Sequence, residues 1–344
     1  MNKIILFLII VFSIVSCTGE KKYIQHWGRT EGTFYQIIYE KSGKGDYEQE
    51  IVQLLKDFNE SLSIYLPASL ISRINRNDTT AVVDDYFRTV FNKSVEVNIA
   101  SGGVFDITVA PLVNLWGFGF TGNIPDMDPK KIDSLLQYVG MDKIHIEGDK
   151  VVKTSPGVML DMNAIAKGYS VDLVAGFLKS KGCSNYLVNI GGEIVAHGVN
   201  ESGDLWQAGI DRPADSTAYG VALIAKVRLN NRAMATSGNN RHFFEIDGVK
   251  YAHTIDVKTG YPVRNNLLSA TIIANDCMTA DAWATVCLAS GLEKSVKLLQ
   301  QHPELEALLV YSDEKGNFKT FTNMNKSIRL LPTAGATTSQ LRGQ

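Results

Sequence analysis

The chain lacks most of the signatures that would classify it quickly. It has four cysteines in 344 residues. Apart from Cys17 near the N-terminus they are Cys183, Cys277 and Cys287, an odd number with no CxxC pair. That argues against a zinc site and leaves room for one disulfide at most, so buried free thiols are expected. No GxGxxG, GxxxxGK[ST] or GxSxG segment occurs, which argues against a Rossmann dinucleotide site, a P-loop and an α/β-hydrolase. No HxH or HExxH pattern competes for a metal. Charge of one sign is also missing: 34 Lys and Arg stand against 36 Asp and Glu. With no basic stripe interleaved with aromatics, no nucleic acid is expected as a partner. There is no internal repeat.

What is present begins with an apolar N-terminus. Lys3 precedes the run Ile4 to Val15, interrupted only by Ser13, and Ser16 stands before Cys17. The run is too short to span a bilayer comfortably and fits a signal peptide better. Ile-Val-Ser-Cys resembles a bacterial lipobox, in which the cysteine is lipidated. The expected division is residues 1–16 as signal peptide, 17–26 as lipidated Cys17 and linker, 27–331 as one large two-lobed domain, and 332–344 as a disordered Thr-, Ser- and Gly-rich tail. The expected location is exported and lipid-anchored to a bacterial membrane, on the periplasmic side.

Periodicity predicts a strand near Tyr35 and helices over Tyr47–Leu62, Asp84–Ala100, Pro129–Gly140 and Ala164–Lys181. KIHIEGDKVVKT reads as a hairpin turning at Gly-Asp, and NYLVNIGGEIVAHG as two strands broken at Gly191-Gly192. Further strands are expected over Trp206–Ile210, Val221–Leu229, His242–Ile246, Leu268–Ala274, Ala307–Tyr311 and Phe318–Phe321. Two more helices are expected, Thr279–Ser290 and Leu292–Gln301. Hairpins dominate over βαβ units, so the fold class is α+β with mixed or antiparallel sheets flanked by helices.

Three segments carry chemistry: DMNAIAKGYSVD from Asp161, AHTIDVKTGYP from Ala252 and TADAWATV from Thr279. Asp281 and Thr285 are four apart in a helical stretch and share a face. A carboxylate and a hydroxyl are hard oxygen ligands suited to Mg²⁺, although a capping Asp and a packed Thr have the same spacing. His253 precedes a loop of turn formers and suits a general base near neutral pH, as well as a structural role. Lys167, in the first turn of its helix, opposes the helix dipole and hints at an anionic ligand. Tyr65 and Trp116 could stack on a ring or simply be core.

These segments, in this order, resemble the FAD:protein FMN transferases, the ApbE-type flavin transferases. The resemblance runs from about Gly32 to Leu331. It takes in GT at 32–33, SIYLPASLISRIN at 63–75, GGVFDITVAPLVNLWGFG at 102–119, DMNAIAKGYSVD at 161–172, NIGGE at 189–193, ATSG at 235–238, HTIDVKTG at 253–260 and ADAWATV at 280–286. It implies a T-fold-like α+β domain that binds FAD as substrate, uses Mg²⁺, and attaches FMN to a Ser or Thr hydroxyl of an exported acceptor protein, such as one from a membrane redox complex, releasing AMP. Carried over, Asp281, Thr285 and the carbonyl of Ala164 hold the metal, and Asp161 and Lys167 contact FAD. Tyr65 stacks on the flavin. Glu31, a strand formed by Asp106, Ile107 and Thr108, and Leu268 complete the binding site. His253 matches the histidine associated with transfer, and His253 and Asp281 are the catalytic pair. The family usually has Gly where Asn163 stands, Pro where Val257 stands, and Met or a small residue where Glu31 stands.

Two rival readings use the same residues: a Mg²⁺-dependent FAD pyrophosphatase with water as acceptor, and a non-catalytic flavin-binding lipoprotein. The tail segment TAGATTS, Thr333 to Ser339, loosely resembles the acceptor motif of flavinylated proteins, with Thr337 at the acceptor position. Ala334 and Leu331 stand where that motif differs, so an unstructured tail is the favoured expectation.

Overall fold

An alternating strand pattern folded back on itself by short turns generates the main sheet. In the computed structural model the described residues are 23–42, 45–120, 128–213, 222–238, 243–246, 249–324 and 327–331. The chain opens with β1 (Tyr23–Thr30) and β2 (Thr33–Glu40), then α1 (Glu48–Leu62), α2 (Leu70–Asn75), α3 (Asp85–Ala100), α4 (Ala110–Leu115) and α5 (Pro129–Leu136). A hairpin, β3 (Ile144–Glu147) and β4 (Lys150–Lys153), leads to the central helix α6 (Asn163–Ser180). Next come β5 (Tyr186–Ile190), β6 (Glu193–His197), β7 (Trp206–Asp211), β8 (Leu223–Leu229), β9 (Arg232–Gly238), β10 (Phe243–Ile246), β11 (Val249–Ala252) and β12 (Leu267–Ala274). The last elements are α7 (Cys277–Gln301), β13 (Glu306–Ser312), β14 (Phe318–Thr322) and β15 (Ile328–Leu330).

Eight strands form one sheet in the order β1-β2-β5-β6-β9-β12-β13-β14, and β15-β8-β7 form a second. The strand pairs are antiparallel, and Val109–Met159 makes an isolated parallel bridge. Successive residues of a strand face opposite sides. Thus Ala270 and Ile272 of β12 enter a core shared with α3, α6 and α7, while Ile273 enters the core beneath the three-stranded sheet with Val227 and Leu229. Burial on both faces explains why β12 reads as an unbroken apolar run. A smaller core of Leu112, Trp116, Ile132 and Ile255 sits under α4 and α5.

Several expectations shift. Tyr23–His26 belong to β1, although the sequence reads there as linker, because the imidazole of His26 buries against Tyr39 and Asp46. The two expected C-terminal helices are the two halves of α7, which breaks between them at the non-helical Gly291, φ 74° and ψ 173°. HTIDVKTGYP is a hairpin: Asp256 N–H donates to Tyr261 O at 2.8 Å and Val263 N–H to Thr254 O at 2.9 Å. The Asp106–Thr108 segment is a turn and not a strand, since Asp106 Oδ1 accepts both the Thr108 N–H at 2.8 Å and its hydroxyl. Such a side chain-to-backbone bond competes with sheet pairing. Cys183, Cys277 and Cys287 are free and buried. No helix among the described residues is long and apolar enough to cross a membrane. Cys17 and Thr337 lie outside the described residues.

Candidate functional site

Two helices and the ends of several strands meet around a cavity of about 420 Å³. Asp276 caps α7, its side chain accepting the Thr279 N–H at 2.7 Å. Starting there, the helix presents Asp281 and Thr285 to the cavity one turn apart. Asp281 is 5% exposed, and its Oδ2 accepts the Gly168 N–H of α6 at 2.9 Å. The Thr285 hydroxyl lies 3.1 Å from the Ser237 hydroxyl at the end of β9.

The opposite wall is the start of α6. Asp161 donates its N–H to Ile107 O at 2.8 Å and accepts the Asn163 N–H on Oδ1 at 2.9 Å. Asp161, Ala164 and Lys167 therefore follow one another along the lining. Lys167 falls in the second turn of α6 instead of the first, because the helix begins at Asn163. Its Nζ lies 3.2 Å from Glu193 Oε2, and Glu193, at the start of β6, is 3% exposed.

Tyr65 stands at the rim, 61% exposed, where its ring is available to a planar ligand. His253 lines the cavity where β11 enters the hairpin, its ring edge-on to Phe118 at 6.3 Å between centroids. Ile255 and Val257 of the hairpin continue the same wall. Trp116 is core: 1% exposed, it stacks on Tyr251 and donates Nε1–H to Gly260 O at 2.8 Å.

Of the binding residues expected, Asp106 and Ile107 line the cavity; Thr108, Glu31 and Leu268 do not. Thr108 is fully buried, its hydroxyl donating to Asp106 and accepting the Gly140 N–H at 2.7 Å, and so braces the wall from behind. Glu31 sits in the β1–β2 turn in a left-handed conformation, φ 51°, and its buried Oε1 makes no hydrogen bond. Leu268 neighbours Gly238, which lines the cavity.

The charge balance is uneven. The described lining carboxylates are Asp106, Asp161, Glu193 and Asp281, and the one described lining Lys or Arg is Lys167, on which Glu193, Asp281 and the nearby Glu31 act. Burial pushes Asp161 up to about 6 against the pull of the Asn163 N–H. Burial also pushes Glu31 to about 7 and Glu193 to about 8, Lys167 opposing both. Asp281 is raised by burial, opposed by Lys167 and the Gly168 N–H. Lys167 goes the other way: burial disfavours its charge, but Glu193, Asp281 and Glu31 outweigh that and raise it. Desolvation thus raises all four acids, and the like charge of Asp281 adds to it for Glu31 and Glu193.

No cluster of three His, Cys, Asp or Glu side chains suited to a metal occurs among the described residues. The donors available are the Asp281 carboxylate, the Thr285 hydroxyl and the Ala164 carbonyl. This all-oxygen set suits Mg²⁺, which takes one or two carboxylates and completes its shell with water and substrate phosphate. The surplus of buried carboxylate is itself a reason for a cation to enter. Sequence reasoning assigned no role to Glu193 or Ser237, although NIGGE and ATSG both stand out as motifs. A carboxylate directly after two strand-breaking glycines was the available signal for Glu193. Asp172, the last residue of the DMNAIAKGYSVD segment, was also passed over. Burial pushes it up to about 7, against the N–H groups of Cys277 and Met278 that it accepts.

Comparisons with known proteins agree on one family. The sequence model of the ApbE family matches residues 32–309. The chain is 36% identical over 319 residues to an FAD:protein FMN transferase of Haemophilus influenzae, covering 88% of this chain and 90% of that one. It is 34% identical over 318 residues to that of Vibrio cholerae, covering 90% and 93%. Among solved structures, the flavin transferase ApbE from Vibrio cholerae superposes with a TM-score of 0.79 at 33% identity, covering 88% of this chain and 97% of that one. The apo flavinyl transferase ApbE of Pseudomonas stutzeri gives 0.77 at 31%, covering 88% and 94%.

Proposed function

Since the chain belongs to the ApbE family, we propose that it transfers FMN from FAD to a Ser or Thr hydroxyl of an acceptor protein with the help of Mg²⁺, releasing AMP. The coarse activity follows from membership: the chain is a transferase that moves FMN from FAD to a protein. The magnesium, the acceptor hydroxyl and the residue roles are the finer reading. What supports them is one cavity that holds an oxygen donor set, a lysine, an exposed tyrosine and a histidine together.

The acceptor oxygen attacks the FMN phosphorus, a new P–O ester bond forms, and the P–O bond to AMP breaks. Mg²⁺, when bound, supplies charge neutralisation at the pyrophosphate and at the departing AMP oxygen. Asp281, Thr285 and the Ala164 carbonyl would hold it. Lys167, kept charged by Glu193 and Asp281, offers a fixed cation to the phosphates. Tyr65 orients the isoalloxazine from the rim. His253 takes the hydroxyl proton or aligns the hydroxyl in line with the breaking bond. Phosphoryl transfer asks little covalent work of a protein beyond such alignment.

The proposal extends to location. The apolar N-terminus and Ile-Val-Ser-Cys support export and lipid anchoring through Cys17, with an exported flavoprotein of a membrane redox complex as the acceptor. Cys17→Ser should leave the membrane fraction and keep its activity in vitro. For the chemistry, the protein is incubated with FAD, Mg²⁺ and a candidate acceptor, and AMP, free FMN and FMN-labelled acceptor are measured by mass spectrometry. Labelled acceptor with stoichiometric AMP supports transfer. Free FMN and AMP without label would mean a pyrophosphatase, and no AMP at all a binding protein.

A further inference from the structure

The helices carrying Lys167 and Asp281 are tied together by a reciprocal pair of carboxylates. The first N–H groups of a helix have no partner within it. In α7 the Cys277 N–H donates to Asp172 Oδ1 at 2.8 Å and the Met278 N–H to Asp172 Oδ2 at 2.8 Å. The side chain of Asp276, the helix's own cap, serves the next group, the Thr279 N–H. The start of α7 is therefore capped largely by a carboxylate of α6. In return, Asp281 of α7 accepts the Gly168 N–H of α6 at 2.9 Å. Gly168 and Asp172 are four apart on α6, and Cys277 and Asp281 four apart on α7, so each pair lies on one face of its helix. Gly168 lets the two backbones touch: a Cβ there would lie 2.3 Å from Cys277 O and 2.8 Å from Asp281 Cβ.

This clamp adjoins the chemistry. Lys167 immediately precedes Gly168. The regular helical acceptor of the Gly168 N–H is the Ala164 carbonyl, so the bond to Asp281 competes with that one and favours a carbonyl oxygen with capacity to spare. Resting on the magnesium reading above, we propose that Asp172 is a positioning residue for the metal end of the site. By pinning the first turn of α7 to α6 it sets the distance of Asp281 from Ala164 and Lys167. It touches neither metal nor substrate. Mg²⁺ demands near-ideal octahedral geometry at short distances, so a small displacement of α7 weakens its binding more than it weakens the fold.

Asp172→Asn tests this. The amide keeps the shape and one acceptor oxygen, but turns an NH₂ towards the second N–H. The full-length protein is compared with wild type by thermal unfolding in EDTA, by the Mg²⁺ concentration that half-saturates the thermal shift, by FAD affinity in EDTA from flavin fluorescence, and by turnover against Mg²⁺. The expected result is a Mg²⁺ midpoint raised about 10–100-fold, the usual effect of losing a group that orients a metal ligand. FAD affinity should stay within about threefold in EDTA, and turnover should recover at saturating Mg²⁺. An unchanged midpoint, with or without a lower Tm, overturns the proposal and leaves Asp172 a structural cap. If Asp172→Asn does not fold, Gly168→Ala, which wedges the same contact apart, is read by the same midpoint. Loss of fold in both variants also overturns it. A wild-type protein with no response to Mg²⁺ would sink the magnesium reading first, whereas a responsive wild type and a variant with the same midpoint sink only the role of Asp172.

Discussion

Asp281→Asn should make the metal-free protein more stable while stopping its turnover. Asp281 is almost fully buried beside Lys167, and Glu193 is buried against the same lysine. With Glu31, three acids raised by burial share that one cation. A carboxylate whose folded pKa is raised stabilises the fold below its unfolded pKa and loses that contribution as pH rises through the folded value. For Asp161, Glu31 and Glu193 those folded values are about 6, 7 and 8. Wild-type stability in EDTA should therefore fall from pH 5.5 to pH 8.5. The asparagine keeps an oxygen for the Gly168 N–H and removes one negative charge, while Lys167 retains Glu193. Relief of this kind is worth about 0.5–2 kcal/mol at sites kept for function. At roughly 2–4 °C per kcal/mol this is a few degrees in Tm at pH 8, and less at pH 5.5, where protonation of Glu31 and Glu193 leaves Asp281 fewer like charges beside it.

Magnesium should reverse the order. A ligand at a hundred times its Kd adds about 2.7 kcal/mol to the state that binds it, more than the gain from the substitution. Wild type should then be the more stable protein in excess Mg²⁺ at pH 8, and Asp281→Asn should show no metal-induced shift. Thermal unfolding of both proteins at pH 5.5 and 8, in EDTA and in Mg²⁺, measures every arm. If Asp281→Asn is the less stable protein in EDTA at pH 8, or if the difference is the same at both pH values, the account of the site as an under-neutralised acid cluster is wrong.

Other substitutions separate binding from chemistry. His253→Ala should bind FAD as wild type does and lose about 10²–10⁴ in transfer rate, read as single-turnover AMP release; equal losses in affinity and rate would make the histidine structural. Tyr65→Ala should raise KM for FAD by up to about tenfold, since an aromatic stacking contact is worth about 0.5–1.5 kcal/mol, while Tyr65→Phe stays near wild type in the same assay. Trp116→Phe removes the donor to Gly260 O and leaves a buried carbonyl without its partner, which should cost about 1–3 kcal/mol in urea unfolding.

Long-range apolar patterning was readable where it dominates. The β5–β6 hairpin around Gly191-Gly192 and the two halves of α7 about Gly291 follow from periodicity and glycine alone. The edge strand β1 did not, because one of its faces is solvent and leaves Trp27 63% exposed, so the segment resembles linker. The 254–263 hairpin was hidden by its turn formers, and the Asp106 turn by the β-branched residues after it. In the site, the i, i+4 relation of Asp281 and Thr285 was visible because a helix converts spacing directly into geometry. Glu193, Ser237 and Asp172 were not given roles, because theirs arise from neighbours far away in sequence. Glu193 meets Lys167 only once β6 is laid in the sheet beneath α6, and Asp172 meets Cys277 more than a hundred residues on.

The same residues that weaken the free protein are the ones a substrate and a cation relieve. Buried acids without enough counter-charge are poor for folding, and three of them around Lys167 exceed what a purely structural network needs. A pyrophosphate alone would worsen the imbalance, and a divalent cation alone would leave Lys167 competing with it for the same carboxylates. On the proposed reading the cation would take Asp281 and the phosphates Lys167, so each would make the other's binding more favourable. Thermodynamic reciprocity then requires that Mg²⁺ tighten FAD by the same factor by which FAD tightens Mg²⁺. Such coupling would place the strongest favourable interactions at the phosphorus where charge shifts from FAD to AMP, acting on the transition state more than on the resting protein.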